Sequence, residues 1–154
     1  MIGIFNRSYY EEVLVVRVHP EFLAKQKLPE EEIGDGIWRR RFDQINDFEK
    51  YLVRNGIIAL KFFLNISKKE QKKRFLSRIN EPEKNWKFSV ADYKERGFWG
   101  DYQDAFEDML NNTNRKHAPW SGIRADNTWS QRLAVSETVC SHNERRGPKF
   151  PGLG

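Results

Sequence analysis

The feature that most constrains the fold is a nearly continuous apolar run at residues 57–66, in the middle of the chain. A run of this kind is typical of a parallel strand that is covered on both faces. A helical pattern precedes it, and Gly56 stands between the two, where the C-terminal cap of a helix belongs. The helical pattern is carried by Trp38, Arg41, Phe42, Ile45, Phe48 and Leu52. A helix that leads into a buried strand is the return arm of a βαβ unit, so the sequence predicts an α/β fold with a parallel sheet.

Two further segments are candidates for strands of this sheet. Residues 2–5 are interpreted as the end of a buried strand, and residues 120–125 as a short strand. A complete doubly wound sheet has more strands than these. We therefore expect a sheet that is truncated at its N-terminal side.

Helices are predicted between these strands and after the last one. Ser67 and Glu70 fit the capping box that begins a helix, and this basic helix is expected to reach about Ile79. A short helical piece is expected at residues 92–97. The next helix, which is amphipathic, is marked by Trp99, Tyr102, Phe106, Met109 and Leu110. A last helix, containing Trp129, Leu133 and Val135, is expected to be capped by Asp126 or Asn127.

The C-terminal residues differ in composition from the rest. Residues 141–154 are polar and contain Gly147, Pro148, Pro151 and Gly152, which predicts a disordered tail. Residues 1–140 are predicted to form the folded part.

The charge balance points to an anionic partner. The chain has 154 residues and a formal net charge of +5, which favours nucleic acid, a nucleotide or inorganic polyphosphate. The alternative is a solvated basic surface with no partner. No apolar run is long enough to span a bilayer, the start lacks the pattern of a signal peptide, and Cys140 is the one cysteine. We therefore expect a cytoplasmic protein with no membrane partner.

The first candidate site is the polar loop that follows residues 2–5. Arg7 can clamp a phosphate with its guanidinium, and Ser8 can donate to a phosphate oxygen or ligate a metal. Glu11 and Glu12 can hold a metal or orient an acceptor. The alternative is an ordinary loop with a structural ion pair.

The second candidate site is the basic helix after the central strand and the loop that follows it. Arg74 and Arg78 share one face of the helix with Gln71. Such a helix, followed by a loop with a proline, suits a lid that stabilises charge on a transferring phosphoryl group. The basic residues of this region are Lys68, Lys69, Lys72, Lys73, Arg74, Arg78, Lys84 and Lys87. The alternative is a solvated basic face.

Aromatic residues lie among these basic residues. They are Trp86, Phe88, Trp99 and Trp120. Such rings can stack on the bases of single-stranded nucleic acid, or they can pack in the core or a lid.

Four ordered motifs resemble the polyphosphate kinase 2 family. The first is Phe-Asn-Arg-Ser with the residues around it, at residues 4–19, and the second is residues 60–71. The third is Pro-Glu-Lys-Asn-Trp-Lys-Phe at residues 82–88, and the fourth is Ala-Pro-Trp at residues 118–120 with Ala-Asp-Asn at residues 125–127. The resemblance covers most of this chain but only the C-terminal part of the family's domain.

This resemblance implies a P-loop kinase fold similar to thymidylate kinase, with a three-layer arrangement around a parallel sheet. It implies Mg²⁺-dependent transfer of phosphate between inorganic polyphosphate and a nucleotide, with AMP, ADP and ATP as the nucleotide partners. By motif, Asn6 and Arg7 fall at the Walker B position, and Asn6, Ser8 and Glu11 are assigned to nucleotide binding. Arg7, Arg74 and Arg78 are assigned to catalysis. Lys68, Lys72, Lys84 and Lys87 are assigned to polyphosphate binding.

The sequence departs from the family's pattern in two places. No Gly-rich Walker A motif occurs in the chain, and Asn6 cannot replace the carboxylate of that region because an amide has no negative charge. Residues 138–146 are too polar for the apolar helix expected after Glu137. We therefore expect this chain to be inactive by itself and able to form a homo-oligomer through an open sheet edge. The alternative function is a noncatalytic basic module that binds polyphosphate or, less in keeping with the motifs, nucleic acid.

Overall fold

The computed structural model describes residues 2–145 and residue 147. It confirms an α/β fold in which helices surround a small parallel sheet. The helices are α1 (Val15–Val18), α2 (Pro20–Leu23), α3 (Ile37–Arg54), α4 (Lys68–Asn80), α5 (Val90–Glu95), α6 (Trp99–Thr113) and α7 (Thr128–Arg145). The strands are β1 (Lys61–Asn65) and β2 (Trp120–Arg124). Turns of 3-10 helix lie at Tyr9–Val13, Glu30–Glu32, Pro82–Lys87 and Arg96–Phe98.

The two strands pair in parallel, with Lys61 opposite Trp120 and Asn65 opposite Arg124. Helices α4, α5 and α6 form the crossover between them. The predicted central strand is confirmed, but it is shorter than the apolar run at residues 57–66. Strand hydrogen bonds extend only as far as the neighbouring strand does, and β2 is five residues long.

The strand predicted at residues 2–5 is wrong for this structure. These residues have no regular secondary structure, and Ile4 is 89% exposed. A strand needs a neighbour for its backbone N–H and C=O groups, and no described segment pairs with residues 2–5. Among the residues that the structure describes, the sheet therefore has two strands.

The core lies between the N-terminal turns, α3 and α6. Its buried residues are Tyr10, Val13, Phe42, Ile45 and Met109. The helical pattern in the sequence is thus confirmed, because Phe42 and Ile45 lie on the buried face of α3.

The predicted helix caps are confirmed with one refinement. Gly56 follows α3 with φ +83°, a backbone conformation that favours glycine. Ser67 Oγ accepts a hydrogen bond from Glu70 N–H at 3.1 Å and begins α4. Asn127 Oδ1 accepts from Ser130 N–H at 3.0 Å at the start of α7, whereas Asp126 has a different partner.

The tail predicted at residues 141–154 is corrected in its first part, because α7 continues to Arg145. Its polar residues remain helical since the backbone hydrogen bonds lie within the helix and the side chains face solvent. Thr138 Oγ1 donates to Ala134 O at 2.8 Å and so bonds to the preceding turn. Residues 146 and 148–154 lie outside the described residues. No helix in the described ranges is long and apolar enough to span a membrane.

Candidate functional site

The carboxyl ends of the two strands are joined by hydrogen bonds. Ala125 N–H donates to Asn65 O at 2.8 Å, and Ser67 N–H donates to Asp126 Oδ1 at 2.7 Å. The loop after β1 is therefore fixed against the loop after β2. In α/β proteins, ligands bind beyond the carboxyl ends of parallel strands, so this edge of the sheet is the candidate site.

Asp126 provides a fixed negative charge at this edge. The hydrogen bond from the Ser67 N–H, followed by the nearby Arg74, holds the pKa of the Asp126 carboxyl below its usual range. The carboxylate is exposed and remains ionised near neutral pH. A phosphate that approaches this edge is therefore repelled by Asp126 unless the neighbouring cations compensate.

Arg74 is a cation that bonds directly to the loop after β2 at this edge. Its Nη2 donates to Ala125 O at 2.6 Å, and its Nε donates to Glu70 Oε1 at 3.0 Å. The Arg74 side chain is 35% exposed, so it is partly buried, whereas the lysines of α4 are exposed. A guanidinium has five N–H donors, and these two bonds leave donors for an anion. Arg74 thus fastens α4 to the loop after β2 and still offers hydrogen bonds outward.

Arg78 lies one turn further along α4 and contacts a different element. Its Nη1 is 3.3 Å from Asp92 Oδ2 on α5, and its guanidinium carbon lies 5.4 Å from the Phe75 ring centroid. Arg78 therefore links α4 to α5, and within residues 2–145 and 147 it has no hydrogen bond or ion pair with the strand-end loops.

The four predicted polyphosphate lysines have different surroundings. Lys68 Nζ lies 6.0 Å from the Trp99 ring centroid, and Lys87 Nζ lies 4.9 Å from that of Trp86. Lys84 forms an ion pair with Glu81 and donates to Ser77 Oγ at 3.1 Å. Lys72 is exposed, and within the described part of the chain it has no ion-pair partner. Lys72 is therefore the member of this set that is most available to an external anion.

The N-terminal loop contains a structural ion pair, which was the alternative interpretation of its sequence. Arg7 Nε lies 3.3 Å from Glu11 Oε1, and the Arg7 side chain is 84% exposed. Ser8 Oγ accepts from Tyr10 N–H at 3.4 Å and caps the turn Tyr9–Val13. Asn6 is exposed. An exposed pair of this kind contributes little to stability, so a phosphate can compete for Arg7.

Two residues that sequence reasoning missed lie between this loop and the lid. His19 Nε2 is 2.9 Å from Glu95 Oε2, and Tyr102 O–H donates to the same oxygen at 3.0 Å. The hydrogen bond to Glu95 raises the pKa of His19. Burial, then Glu95, and to a smaller extent Glu11, raise the pKa of the Tyr102 hydroxyl. Arg7 lowers the pKa of the same hydroxyl, so the two charges of the N-terminal loop act on Tyr102 in opposite directions.

Arg96 completes the connection from this cluster to α4. Its Nη1 donates to Lys68 O at 2.9 Å and to Gln71 Oε1 at 2.6 Å. In the described residues no hydrogen bond or ion pair joins the N-terminal loop to α4 directly, and the segment around Arg96 lies between them. No local pattern indicated His19, Glu95 or Arg96, because His19 and Glu95 are 76 residues apart in the chain.

A buried polar network lies at the opposite, amino end of the strands. Lys61 Nζ donates to Glu49 Oε2 at 2.7 Å, to Tyr10 O–H at 2.8 Å and to Thr113 O at 2.9 Å. Tyr9 and Tyr10 both donate to Glu49 Oε1, at 2.9 and 2.7 Å. The two tyrosines follow the N-terminal loop directly, so this network holds the base of that loop. A lysine within an apolar strand was the sequence signal that could have revealed it.

The described residues do not form a metal site by themselves. In residues 2–145 and 147, no group of three or more His, Cys, Asp or Glu side chains comes together. Mg²⁺ is usually bound by one or two carboxylates together with substrate phosphates. The donor set of these residues does not fit a metal cage made by protein alone.

Comparisons with known proteins identify the family to which this chain belongs. The sequence profile described as Polyphosphate kinase 2 matches residues 1–151. The chain is 48% identical over 151 residues to an ADP-polyphosphate phosphotransferase of Rhodopseudomonas palustris, which covers 97% of this chain and 52% of that protein. It is 39% identical over 148 residues to an AMP/ADP-polyphosphate phosphotransferase of Meiothermus ruber, with 96% and 51% covered.

A solved structure agrees with these sequence matches. The fold superposes on the crystal structure of Polyphosphate Kinase 2 from Arthrobacter aurescens TC1 with a TM-score of 0.89 and 37% identity, over 99% of this chain and 50% of that chain. The chain spans about half the length of these relatives. From the profile match and these similarities, the chain belongs to the polyphosphate kinase 2 family.

Proposed function

We propose that this chain is part of a phosphotransferase that moves phosphoryl groups between inorganic polyphosphate and AMP or ADP. The relatives named above carry polyphosphate and AMP or ADP in their names. The observation in the molecule that supports the proposal is Arg74, which lies at the carboxyl edge of the sheet with hydrogen-bond donors left over. Phosphoryl transfer depends on such positioned cations because negative charge must be stabilised.

The fold expectation for the whole protein is part of the same proposal. We assign the chain to the C-terminal part of a P-loop kinase-like, thymidylate kinase-like domain with a three-layer parallel sheet. Residues 1–140 would supply the Walker B-like loop, the lid, the last strand and the last helix. The parallel pair β1 and β2 with its helical crossover supports this assignment.

The predicted site residues are given roles within this proposal. Asn6, Ser8 and Glu11 contact the nucleotide, and Arg7 exchanges Glu11 for a phosphate. Arg74 and Arg78 stabilise charge on the transferring group. The polyphosphate chain lies along Lys68, Lys72, Lys84 and Lys87. The exposure of Lys72 and the weak, exposed pair of Arg7 with Glu11 support these roles.

Mg²⁺ enters the proposal as an ion bound to substrate phosphates. The ion would neutralise phosphate charge during transfer. Glu11 and the Ser8 hydroxyl are the oxygen groups of the N-terminal loop that can add ligands to it.

We further propose that the chain alone binds its substrates but transfers phosphate very slowly. The sequence has no Gly-rich phosphate loop, and each preorganised donor to a transition state is worth roughly a hundredfold or more in rate. A noncatalytic module that binds polyphosphate is the second candidate, and the exposed lysine row of α4 favours it.

Calorimetric titration with polyphosphate and with AMP, followed by an assay of ADP formation with Mg²⁺, tests the proposal. We expect saturable binding of both ligands and little transfer. Binding of polyphosphate without AMP would favour the noncatalytic module. Binding of neither would overturn the proposed function, and rapid transfer would overturn the proposal that the chain alone is slow.

A further inference from the structure

Two tryptophans of this chain are exposed to an unusual degree. Trp86 is 79% exposed and Trp129 is 73% exposed. Aromatic side chains contribute most to stability when they are buried, so a large exposed ring on a folded element is a candidate contact surface. The two differ in their neighbours, which allows one to serve as a control for the other.

Trp86 lies in a turn that is held firmly against α4. The preceding residue, Asn85, donates through Nδ2 to Arg78 O and to Ile79 O, both at 2.8 Å. These bonds satisfy carbonyl groups at the C-terminal end of α4. Lys84 Nζ donates to Ser77 Oγ at 3.1 Å and adds a second attachment. The indole is therefore presented to solvent by a fixed backbone.

Trp86 also has a cation beside it. Lys87 Nζ lies 4.9 Å from the centroid of the indole ring. Within the described residues no other ring contacts Trp86, and its high exposure leaves the face away from Lys87 open. One open aromatic face, held by a fixed backbone, is complementary to the flat face of one nucleobase.

We propose that Trp86 stacks on the base of the nucleotide substrate through its open face, while Lys87 on the other side of the ring keeps its proposed contact with the polyphosphate chain. This inference rests on the proposed function and names a base-contacting residue for it. Single-stranded nucleic acid is bound through successive rings along a groove, whereas Trp86 stands without a neighbouring ring. Stacking on any base is possible because every base has an aromatic face, so Trp86 adds affinity for nucleotides with little preference among bases.

The test compares AMP with ribose 5-phosphate, which has the sugar and phosphate but no base. W86A is expected to weaken AMP binding about fivefold or more, in keeping with the usual contribution of one stacked base. Ribose 5-phosphate and polyphosphate should bind W86A as they bind the unchanged chain. W86F should restore AMP binding because it restores an aromatic face, and W129A should bind AMP normally.

Indole fluorescence provides an independent measurement of position. AMP should quench the fluorescence of the W129F variant and should quench that of W86F far less, although W86F still binds AMP. Equal AMP affinity of W86A and the unchanged chain, with polyphosphate binding intact, would overturn this inference and leave the proposed function standing. A loss of ribose 5-phosphate binding equal to the loss of AMP binding would also overturn it. So would Trp86-dependent binding of a single-stranded oligonucleotide without Trp86-dependent binding of AMP.

Discussion

Lys61 Nζ lies 2.7 Å from Glu49 Oε2, and the two side chains are 6% and 0% exposed. The pair joins the first residue of β1 to α3, and Glu49 accepts further hydrogen bonds from both tyrosines of the N-terminal turn. Removal of one partner from a buried ion pair leaves an uncompensated charge away from water. Loss of either partner of this pair is therefore expected to destabilise the core.

K61M is expected to lower the free energy of unfolding by about 3–5 kcal/mol, because Glu49 would remain buried without its cation. Urea denaturation followed by circular dichroism measures the change. K50M is the matched control, since Lys50 lies on the exposed face of the same helix as Glu49. Similar stability of K61M and K50M would contradict the account.

The second prediction concerns the pH dependence of the contact between His19 and Glu95. The pKa of His19 is raised, so its stabilising contribution is complete below the pKa of an unfolded histidine, about 6.5, and is lost as pH rises through the folded value. Burial raises the pKa of Glu95, but the hydrogen bonds from His19 and Tyr102 lower it overall, so its contribution is lost as pH falls through the depressed value. The contact is therefore strongest in mildly acidic solution.

Hydrogen exchange of the α5 amides, measured from pH 5.5 to 8.5 and corrected for intrinsic exchange rates, tests this. Protection should decrease as pH rises, and H19Q should remove this decrease. Y102F should keep it, because the contact between His19 and Glu95 remains. A pH-dependent decrease of the same size in H19Q would show that another group is responsible.

Arg74 is expected to act through its shape as well as its charge. R74K keeps the charge but cannot bond to Glu70 and Ala125 together, so it should lose about 1 kcal/mol of unfolding free energy. Thermal denaturation measures this loss. R132K, at an exposed position of α7, should be neutral. Equal stability of both variants would show that the two hydrogen bonds contribute nothing measurable.

The lysine row on the exposed face of α4 is expected to bind polyphosphate by releasing counterions. The K68A/K72A double variant should bind more weakly and show a shallower dependence on salt concentration, since two phosphate contacts are lost. Calorimetric titration at two salt concentrations measures both effects. The K27A/K50A double variant removes the same charge from exposed positions outside α4. If both double variants lost affinity equally, total charge alone would explain binding.

The same experiment separates the two arginines of the lid from the general charge. R74A/R78A should weaken polyphosphate binding more than R39A/R132A. Arg39 and Arg132 are the matched control because both are exposed and have no ion-pair partner in the described chain, whereas Arg40 bonds to Glu32. Equal losses would remove the assignment of Arg74 and Arg78 to the anion site.

Local patterns were sufficient for the parts of this fold that local physics determines. Gly56 was predicted as a cap because few residues other than glycine adopt the left-handed backbone that ends a helix. Ser67 was predicted as a cap because only a few side chains can accept a hydrogen bond from the unpaired N–H groups that begin one. The strand at residues 2–5 was wrong because an apolar run becomes a strand only where a neighbour pairs with it. The end of α7 was wrong because composition alone does not show where backbone hydrogen bonds stop.

The sequence predicted the two segments that form the candidate site, but not how they are positioned relative to each other. The sequence identified the loop around Arg7 and the helix with Arg74, since charged residues that follow an apolar run can be recognised along the chain without a structure. The segment that lies between them depends on His19 and Glu95, which meet only after the chain has folded. The proposed roles of the site residues remain predictions until binding is measured.

The hydrogen bond between Ser67 and Asp126 joins residues 59 positions apart. Closing a loop of that length is entropically unfavourable, and such nonlocal contacts slow folding. The three crossover helices can form before the strands meet, whereas the carboxyl edge of the sheet cannot. The surface proposed to receive phosphates is thus the last to be assembled. D126A, which removes the acceptor of this hydrogen bond, should therefore accelerate unfolding while leaving the refolding rate almost unchanged, as measured by stopped-flow fluorescence in urea.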